Sequence, residues 1–270
     1  MKQNNKFSSK ADTLIFLEKK LTRGKVEKIF SVTVKEWKIQ KETIIKKILD
    51  EFYPNEIIVR SSALGEDSVE STEAGKYKSI QKVKTKIQKN IETAINDVIK
   101  AYSEKNSEND ENQVLIQKQT TGVVSNGVVF TRTPENGSPY YVINYSDSKE
   151  TDNVTKGEIS NLVKIFRGID THKVPKKWKK LISTLEEIEN IFKTEFLDIE
   201  FGITKKDVVI FQVRPLTIVK EPRIKNLENK IKKQIIENQK KYQKFIFEKN
   251  TKNKIYYFSD MADWNPAEII

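Results

Sequence analysis

The feature that most constrains the fold is a pair of apolar runs on either side of a short polar turn. Residues 197–203 and residues 207–213 each have the composition of a strand, so together they predict a β-hairpin. Successive side chains of a strand point to opposite faces of the sheet. We therefore expect Asp198, Glu200 and Gly202 on one face of the first strand.

Alternation along the second strand places Ile210, Gln212 and Arg214 on a common face. Four polar groups of the hairpin, on Asp198, Glu200, Gln212 and Arg214, can then project into one space. Carboxylate and amide oxygens suit Mg²⁺, which binds through one or two carboxylates and substrate phosphates. An arginine beside them suits a phosphoryl group. A solvated hairpin face is the alternative, but the apolar neighbours of these residues favour a lined cleft.

Composition limits the class of protein. The chain has 270 residues, 37% of them hydrophobic and 32% charged, which is enough for one large domain or two small ones. It has no cysteine, so disulfides, thiolate chemistry and zinc–cysteine sites are excluded. No apolar run approaches the roughly 20 residues of a membrane span, and the first residues lack the apolar core of a signal peptide. The sequence therefore predicts a cytoplasmic protein without a membrane partner.

The positive charge is concentrated in one segment. The formal net charge is +11, and residues 220–254 contain twelve Lys or Arg and four Glu, which leaves +3 for the remainder. No recognisable nucleic-acid-binding module accompanies this charge, so nucleic acid is not the expected partner. The apolar spacing of the segment predicts a long basic helix, which we interpret as a linker or docking helix.

The N-terminal region offers a candidate phosphate ligand. Residues 6–22 have the pattern of a capped helix, with Ser8 or Ser9 as the cap and Lys10 at its entry. A helix N-terminus favours anions, and a lysine there adds a positive charge. Lys10 is therefore a candidate phosphate clamp, and a solvated lysine is the alternative.

Arg60 lies at a second candidate site. The strand at residues 57–59 leads it into a loop rich in serine, glycine and acidic residues, which ends at Gly75. The amide and hydroxyl groups of such a loop can fold over phosphates, although an ordinary surface loop is the alternative. Elsewhere the residue pattern predicts helices at 34–52, 85–102, 184–193 (from a capping box) and 220–247, and strands at 28–34, 76–81, 113–119, 127–133 and 139–145.

Several motifs resemble one known family. D-I-E-F at 198–201 and I-F-Q-V-R-P at 210–215 resemble the last two strands of the nucleotide-binding domain in phosphoenolpyruvate synthase, pyruvate phosphate dikinase and rifampicin phosphotransferase. V-R-S-S-A at 59–63, followed by an E-D pair and A-G, and G-V-V-F-T at 127–131 resemble the same family. These signals occur in the family's order between Lys10 and Thr217.

The resemblance implies roles for individual residues. Glu200 and Gln212 would hold Mg²⁺, with Asp198 as a helper, while Arg60, Arg214 and Lys10 would contact the phosphates of ATP and stabilise the transferred group. Gly75 would belong to a lid over the nucleotide. Ser79 would lie near the nucleotide, and Gln117 would lie on the adenine side, although a plain sheet residue is the alternative for Gln117.

The resemblance also implies an acceptor and a partner domain. N-V-T-K-G-E at 153–158 and D-W-N-P-A-E at 263–268 resemble the L-glutamine kinases of capsular phosphoramidate biosynthesis, which phosphorylate the amide nitrogen of glutamine. The family transfers the group through a phosphohistidine on a separate swivelling domain. The single histidine, His172, lies in a basic loop that does not match that domain, and we expect it to be exposed. The glycine-rich G-x-G-E segment of dikinase relatives is also missing near residue 150.

These observations predict an α+β ATP-grasp fold with two lobes and ATP between them. We expect an ATP-grasp domain over residues 1–219, a basic linker helix over 220–254, and the start of a following domain over 255–270. The expected activity is phosphoryl or pyrophosphoryl transfer from ATP to a small acceptor by way of a missing histidine domain. Two alternatives stay open at this point: a stand-alone ATP-grasp kinase of another small molecule, and a non-catalytic nucleotide-binding module.

Overall fold

The chain folds into two lobes, each built on one antiparallel sheet with helices. This computed structural model describes residues 7, 9–63, 78–104, 109–147, 161–217 and 226–248. The α+β arrangement that the sequence predicted as an ATP-grasp fold, with two sheets that can hold a ligand between them, is confirmed by the element order and the sheet topology.

The small lobe is a four-stranded sheet covered on one face by two helices. Its strand order is β1-β4-β2-β3. The strands are β1 Ile29–Thr33, β2 Glu56–Ser62, β3 Ser79–Lys84 and β4 Gln113–Lys118, and the helices are α2 Val34–Phe52 and α3 Gln88–Glu104. The apolar sides of both helices and one face of the sheet share a single buried core, which includes Trp37, Ile48, Ile57 and Ile95. The other face of the sheet is turned toward the large lobe, since Leu115 joins that lobe's core.

The start of α2 shows how local sequence determines an element. Thr33 accepts a hydrogen bond from the Glu36 amide at its Oγ1 (3.1 Å). The Glu36 carboxylate in turn accepts one from the Thr33 amide (2.8 Å), so the two residues form a capping box. The bonds from the Thr33 amide and hydroxyl lower the pKa of Glu36. The predicted boundaries of this helix, residues 34–52, are confirmed.

The large lobe is a five-stranded sheet in the order β7-β6-β5-β8-β9. The strands are β5 Val123–Phe130, β6 Tyr140–Ser146, β7 Asn161–Phe166, β8 Leu197–Thr204 and β9 Val208–Pro215. A helix, α4 Lys176–Phe192, packs Leu181, Leu185 and Ile188 against one face of this sheet. The hairpin predicted near residue 200 is confirmed as β8–β9, and β7 is a strand that the sequence pattern did not indicate.

The helix predicted to begin at Thr184 begins eight residues earlier, at Lys176. Thr184 is an interior residue, and its hydroxyl donates to the Lys180 carbonyl (2.9 Å) instead of capping. The capping-box interpretation of Thr184 and Glu187 is therefore wrong. Glu187 instead accepts hydrogen bonds from the backbone amides of Thr22 (3.0 Å) and Arg23 (2.7 Å), which ties α4 to the chain after the first helix.

The first helix, α1 Lys10–Glu18, connects the two lobes. Ser9 caps it, as one of the two predicted caps, by accepting from the Asp12 amide (3.1 Å). Its fully buried residues Ala11, Leu14 and Leu17 belong to the large-lobe core. The helix also contacts β1 and β4 of the small lobe as well as β9, so it lies against both sheets.

The long helix near the C-terminus is α5, Leu227–Glu248. The side chains that the structure describes along it are exposed or half-buried, as expected for a helix with a basic solvated surface. The predicted continuation at 255–270 lies outside the described residues, and the proposed domain boundaries stay predictions. Within the described part of the chain, no helix is both long and apolar enough to span a bilayer. His172 is exposed in a short 3₁₀ turn, as predicted.

Gly127 of β5 is expected to be the most sensitive glycine of the large sheet. A Cβ atom there would lie 2.0 Å from the Asn144 carbonyl oxygen and 2.9 Å from the Tyr145 Cα of β6, and backbone cannot yield as a side chain does. We expect Gly127→Ala to lower the free energy of unfolding by about 3 kcal/mol in urea titrations. Gly122→Ala is the matched control, because Gly122 has φ +70° but open space around it, and it should cost only about 1 kcal/mol. Equal losses would contradict the crowding argument.

Candidate functional site

The register of β8 and β9 brings the predicted polar residues together. Asp198 lies opposite Arg214, and Glu200 lies opposite Gln212, so all four side chains start from one face of the hairpin. Arg214 Nε donates to Asp198 Oδ2 at 2.7 Å. This face is opposite to the one that packs against α4, where Ile199 and Phe201 are fully buried. The structure therefore places the four predicted residues on the face toward the cleft.

A β-bulge changes the predicted face of one residue. Glu200 pairs with Gln212, whereas the next residue, Phe201, pairs with Ile210, so Phe211 is an extra residue of β9. Ile210 consequently lies in the large-lobe core. The expectation that Ile210 shares a face with Gln212 and Arg214 is wrong, because simple alternation does not hold across a bulge.

The bulge also gives the cleft an apolar area. The Phe211 ring lies over Gly202: a Cβ atom on Gly202 would be 2.7 Å from Phe211 Cζ and 2.9 Å from Cε2. Val209 is the cross-strand partner of Gly202, and a methyl group of Val123 lies 3.7 Å from the same Cβ position. The cleft face of β8 is thus acidic at Asp198 and Glu200 and apolar at Gly202. Phe211 was not predicted from the sequence. Its one local sign is Gly202, because the absence of a side chain there leaves room for the Phe211 ring.

Arg60 links the lobes. It lies on β2 of the small lobe, opposite Leu115 of β4 and Ser79 of β3. Its Nη1 donates to the Phe211 carbonyl (2.9 Å), and its Nη2 lies 3.3 Å from Glu200 Oε2. The side chains of Arg60 and Glu200 are only 13% and 20% exposed, so the pair is largely shielded from water. The predicted residues Arg60, Ser79 and Glu200 are therefore brought to one cleft.

Lys10 is buried at the start of α1, with 7% of its surface exposed. The next amide, that of Ala11, donates to Ser62 Oγ (2.9 Å). Ser62 lies two residues after Arg60 in β2, so both side chains start from the cleft face of the small sheet. Lys10 therefore starts beside the strand that carries Arg60. The backbone amides of Ala11 and Asp12 already donate to Ser62 and Ser9. The candidate anion-binding group at the start of this helix is therefore the Lys10 side chain.

Of the two remaining predicted nucleotide-binding residues, the structure describes Gln117 but not Gly75. Gln117 lies on the cleft face of β4, opposite Ile29 and Ile58, and is 2% exposed. Its amide Nε2 is 3.4 Å from the Glu27 carbonyl oxygen. The position suits a residue at the back of the cleft. Gly75, the predicted lid residue, lies outside the described residues.

The donor set of the cleft fits a hard divalent cation. Glu200 and Asp198 supply carboxylates, Gln212 supplies an amide oxygen, and Mg²⁺ characteristically takes one or two carboxylates with the remaining positions filled by phosphates and water. Among the residues that the structure describes, no group of three or more His, Cys, Asp or Glu forms a complete metal cage. Both carboxylates are near arginines. A cation here would therefore need further oxygens from a ligand.

Two lobes with antiparallel sheets facing one polar cleft define an ATP-grasp-type domain. Residues 31–161, just under half of the chain, match the sequence model of the family "Pyruvate phosphate dikinase, AMP/ATP-binding domain". The matched range begins within β1 and contains β2, β3 and β4 of the small lobe, with Arg60. No curated protein sequence matches the chain.

Solved structures with similarity to the chain are distant. A D-alanine–D-alanine ligase from Helicobacter pylori has 10% identity and a TM-score of 0.45, covering 77% of this chain and 54% of the ligase. A dinucleotide-forming acetyl-coenzyme A synthetase 1 from Ca. Korarchaeum cryptofilum has 10% identity and a TM-score of 0.48, covering 78% and 93%. A D-alanyl-alanine synthetase A from Vibrio cholerae O1 biovar eltor has 14% identity and a TM-score of 0.44, covering 80% and 57%. The match thus spans about half the length of both D-alanine enzymes.

Proposed function

We propose that this chain is the ATP-binding part of a phosphotransferase in the family of phosphoenolpyruvate synthase and pyruvate phosphate dikinase. The single observation that carries the proposal is the cross-lobe cluster, in which Arg60 of the small lobe meets Glu200 of the large lobe beside Gln212. Arginine, carboxylate and amide groups around one cleft are the set needed to hold a magnesium–phosphate group. The family match over residues 31–161 supports the same assignment.

The two ends of the cleft suggest how a nucleotide lies in it. The apolar area formed by Gly202 and Phe211 offers a flat surface for a nucleobase. The charged end, with Arg60 and Arg214, offers donors for phosphate oxygens. We therefore place the base toward Phe211 and the phosphates toward the arginines, with Gln117 at the back of the cleft.

The chain's own residues would stabilise the transferred group by charge. Arg60 and Arg214 would neutralise negative charge on the phosphoryl oxygens, and Lys10 would add a further positive charge from α1. Glu200 and Gln212 would hold Mg²⁺, with Asp198 as helper. Held by these residues, the cation would supply Lewis-acid stabilisation of the negative charge on the phosphates. Burial of Arg60 and Glu200 would strengthen each of these interactions.

The acceptor and the partner domain are the finer part of the proposal. We infer that the group passes to a histidine on a further domain and then to a small acceptor, the amide nitrogen of L-glutamine. Support comes from the sequence segments at 153–158 and 263–268, both outside the described residues. His172 is exposed in a short turn and is not assigned to this step.

The test is calorimetric titration of the chain with a non-hydrolysable ATP analogue, with Mg²⁺ and with EDTA. We expect saturable binding that Mg²⁺ strengthens. Adenosine should bind weakly and without dependence on Mg²⁺, because it lacks the groups that the arginines contact. ATP turnover by the chain alone, with L-glutamine as acceptor, would contradict the need for a histidine domain. Failure of the analogue to bind under both conditions would overturn the proposed function.

A further inference from the structure

A hydrogen-bond network at the base of the cleft surrounds the first turn of α1. The side-chain amide of Gln113, the first residue of β4, has both of its ends in use. Its Oε1 accepts from Ser9 Oγ at 2.8 Å, and its Nε2 is 3.3 Å from Asp12 Oδ1. Ser9 precedes Lys10 and Asp12 follows it by two residues. One amide therefore holds the chain on both sides of Lys10.

The same network joins α1 to the body of the small lobe. The Tyr102 hydroxyl of α3 donates to the Gln113 carbonyl (2.6 Å) and accepts from the Ser62 amide (2.8 Å). Ser62 Oγ then accepts from the Ala11 amide (2.9 Å). Ser9 and Ser62 are fully buried and Tyr102 is 2% exposed. Buried hydrogen bonds of this kind are costly to break, because neither partner can turn to water instead.

The contacts of α1 divide between the two lobes. Its apolar residues, Leu14 and Leu17, pack into the large-lobe core, whereas the polar contacts of its first turn reach Gln113 and Ser62 of the small lobe. The helix has only nine residues, so a shift of its first turn moves Lys10 directly. The polar contacts of Gln113 with Ser9 and Asp12 therefore contribute to where the Lys10 side chain starts.

We propose that Gln113 is a positioning residue that orients Lys10 toward the phosphates of the bound nucleotide. This inference rests on the proposed function. Gln113 acts through the two ends of its amide, one on Ser9 and one on Asp12, and needs no contact with the nucleotide. Its contribution should therefore appear in phosphate recognition and not in base recognition, and it should depend on Lys10.

The test measures affinities of the full 270-residue chain for AMPPNP with Mg²⁺ by calorimetry and for adenosine by ligand-observed NMR. Gln113→Met keeps the size of the side chain and removes both polar ends. We expect it to weaken AMPPNP about tenfold, which corresponds to about 1.4 kcal/mol, and to leave adenosine unchanged. Lys10→Met should have an equal or larger effect. The variant with both changes should be no weaker than Lys10→Met alone, since the two residues act as a unit.

A polarity exchange tests the mechanism. Gln113→Glu should weaken AMPPNP, because it sets a second carboxylate against Asp12. Adding Asp12→Asn to Gln113→Glu restores a donor–acceptor pair with its direction reversed, and should return the affinity to within about twofold of wild type. Thr184→Val is the matched control. It removes a buried hydroxyl of α4 that is shared between the Lys180 carbonyl (2.9 Å) and the Arg23 carbonyl (3.1 Å), and it should not change the ratio of the two affinities.

The outcomes separate the inference from the proposed function. If wild type binds AMPPNP and Gln113→Met lowers the affinities for AMPPNP and adenosine equally, the positioning role is overturned. The proposed nucleotide site would still stand. The same conclusion would follow if the effects of Gln113→Met and Lys10→Met were additive. Should Gln113→Met unfold, as judged by circular dichroism, the polarity exchange decides, and its failure to restore affinity would overturn the inference. Wild type without AMPPNP binding would overturn the proposed function together with the inference.

Discussion

Replacing Glu200 with alanine is expected to remove the strengthening of nucleotide binding by Mg²⁺. With Mg²⁺ present, we expect Glu200→Ala to bind AMPPNP about 100-fold more weakly than wild type, because a carboxylate that would hold the cation is lost. With EDTA, the variant should bind as tightly as wild type or up to about tenfold more tightly. The reason is that Glu200 lies 3.3 Å from Arg60 Nη2, so removing it frees a cation for the phosphates.

The measurement is a pair of calorimetric titrations for each protein, one with Mg²⁺ and one with EDTA. Glu92→Ala is the matched control, because Glu92 is a partly exposed carboxylate paired with Lys41 on the small lobe and should change neither titration. A Glu200→Ala variant that retains the wild-type response to Mg²⁺ would exclude Glu200 as a metal ligand. A variant that weakens equally under both conditions would show that Glu200 serves to hold Arg60 in place.

The second large effect is expected at Arg167, which follows β7 and forms a buried ion pair with Glu189 of α4. Its Nη1 donates to Glu189 Oε1 (2.5 Å) and its Nη2 to Oε2 (2.9 Å), and the side chains are 10% and 8% exposed. Nη1 also donates to the Thr131 carbonyl (2.9 Å). Arg167→Met should lower the free energy of unfolding by about 3–5 kcal/mol, because the Glu189 charge would stay buried without its partner.

The loss should depend on pH. Burial raises the pKa of Glu189, and the hydrogen bonds from Arg167 limit that rise. When an acid has a higher pKa in the folded than in the unfolded state, the folded protein loses stability as pH rises from the unfolded-state pKa to the folded-state pKa. For Glu189 this pH interval starts near the ordinary value of 4.5. Without Arg167 the pKa of Glu189 in the folded protein rises further, so the pH interval over which stability is lost extends to higher pH. Urea titrations should therefore show Arg167→Met closest to wild type near pH 5 and furthest from it near pH 7.

Two further variants check the cause. Arg132→Met removes a cation from Glu195, whose side chain is 49% exposed and keeps Arg167 Nη2 at 3.3 Å, so it should cost only about 1 kcal/mol. Adding Glu189→Leu to Arg167→Met removes the unpaired charge and should recover much of the lost stability. An Arg167→Met protein with a pH-independent loss, or one that Glu189→Leu does not improve, would contradict the buried-charge explanation.

Much of the fold could be predicted because it depends on local periodicity. The boundaries of α2 were predicted from an apolar stripe ending before Pro54, and its capping box is formed by neighbours in sequence. The hairpin near residue 200 was predicted from two short apolar runs on either side of a polar turn, a pattern that is visible within a few neighbouring residues. By contrast, β7 is a short edge strand with two exposed residues at its start, so its pattern was too weak to indicate a strand. The lysine-rich first turn of α4 similarly hid the start of that helix.

The polar residues of the site were predictable as residue types at certain strand positions, and their contacts were not. Alternation placed Asp198 and Glu200 on one face, and the structure agrees. The contact of Arg60 with Glu200 joins residues 140 positions apart, and local sequence carries no information about a pairing between two separate sheets. The bulge at Phe211 was likewise missed, because it arises from how β9 pairs with β8.

By itself, therefore, the sequence determined the elements whose hydrophobic period is uninterrupted, the absence of cysteine chemistry, and the polar residues available to the cleft. Only the tertiary structure decided that Ile210 faces the core, that Phe211 covers Gly202, and that Gln113 holds the turn carrying Lys10. The physical reason is the range of the interactions. Periodicity and capping act between residues a few positions apart, whereas register, bulges and contacts between lobes depend on which distant strands and helices pack together.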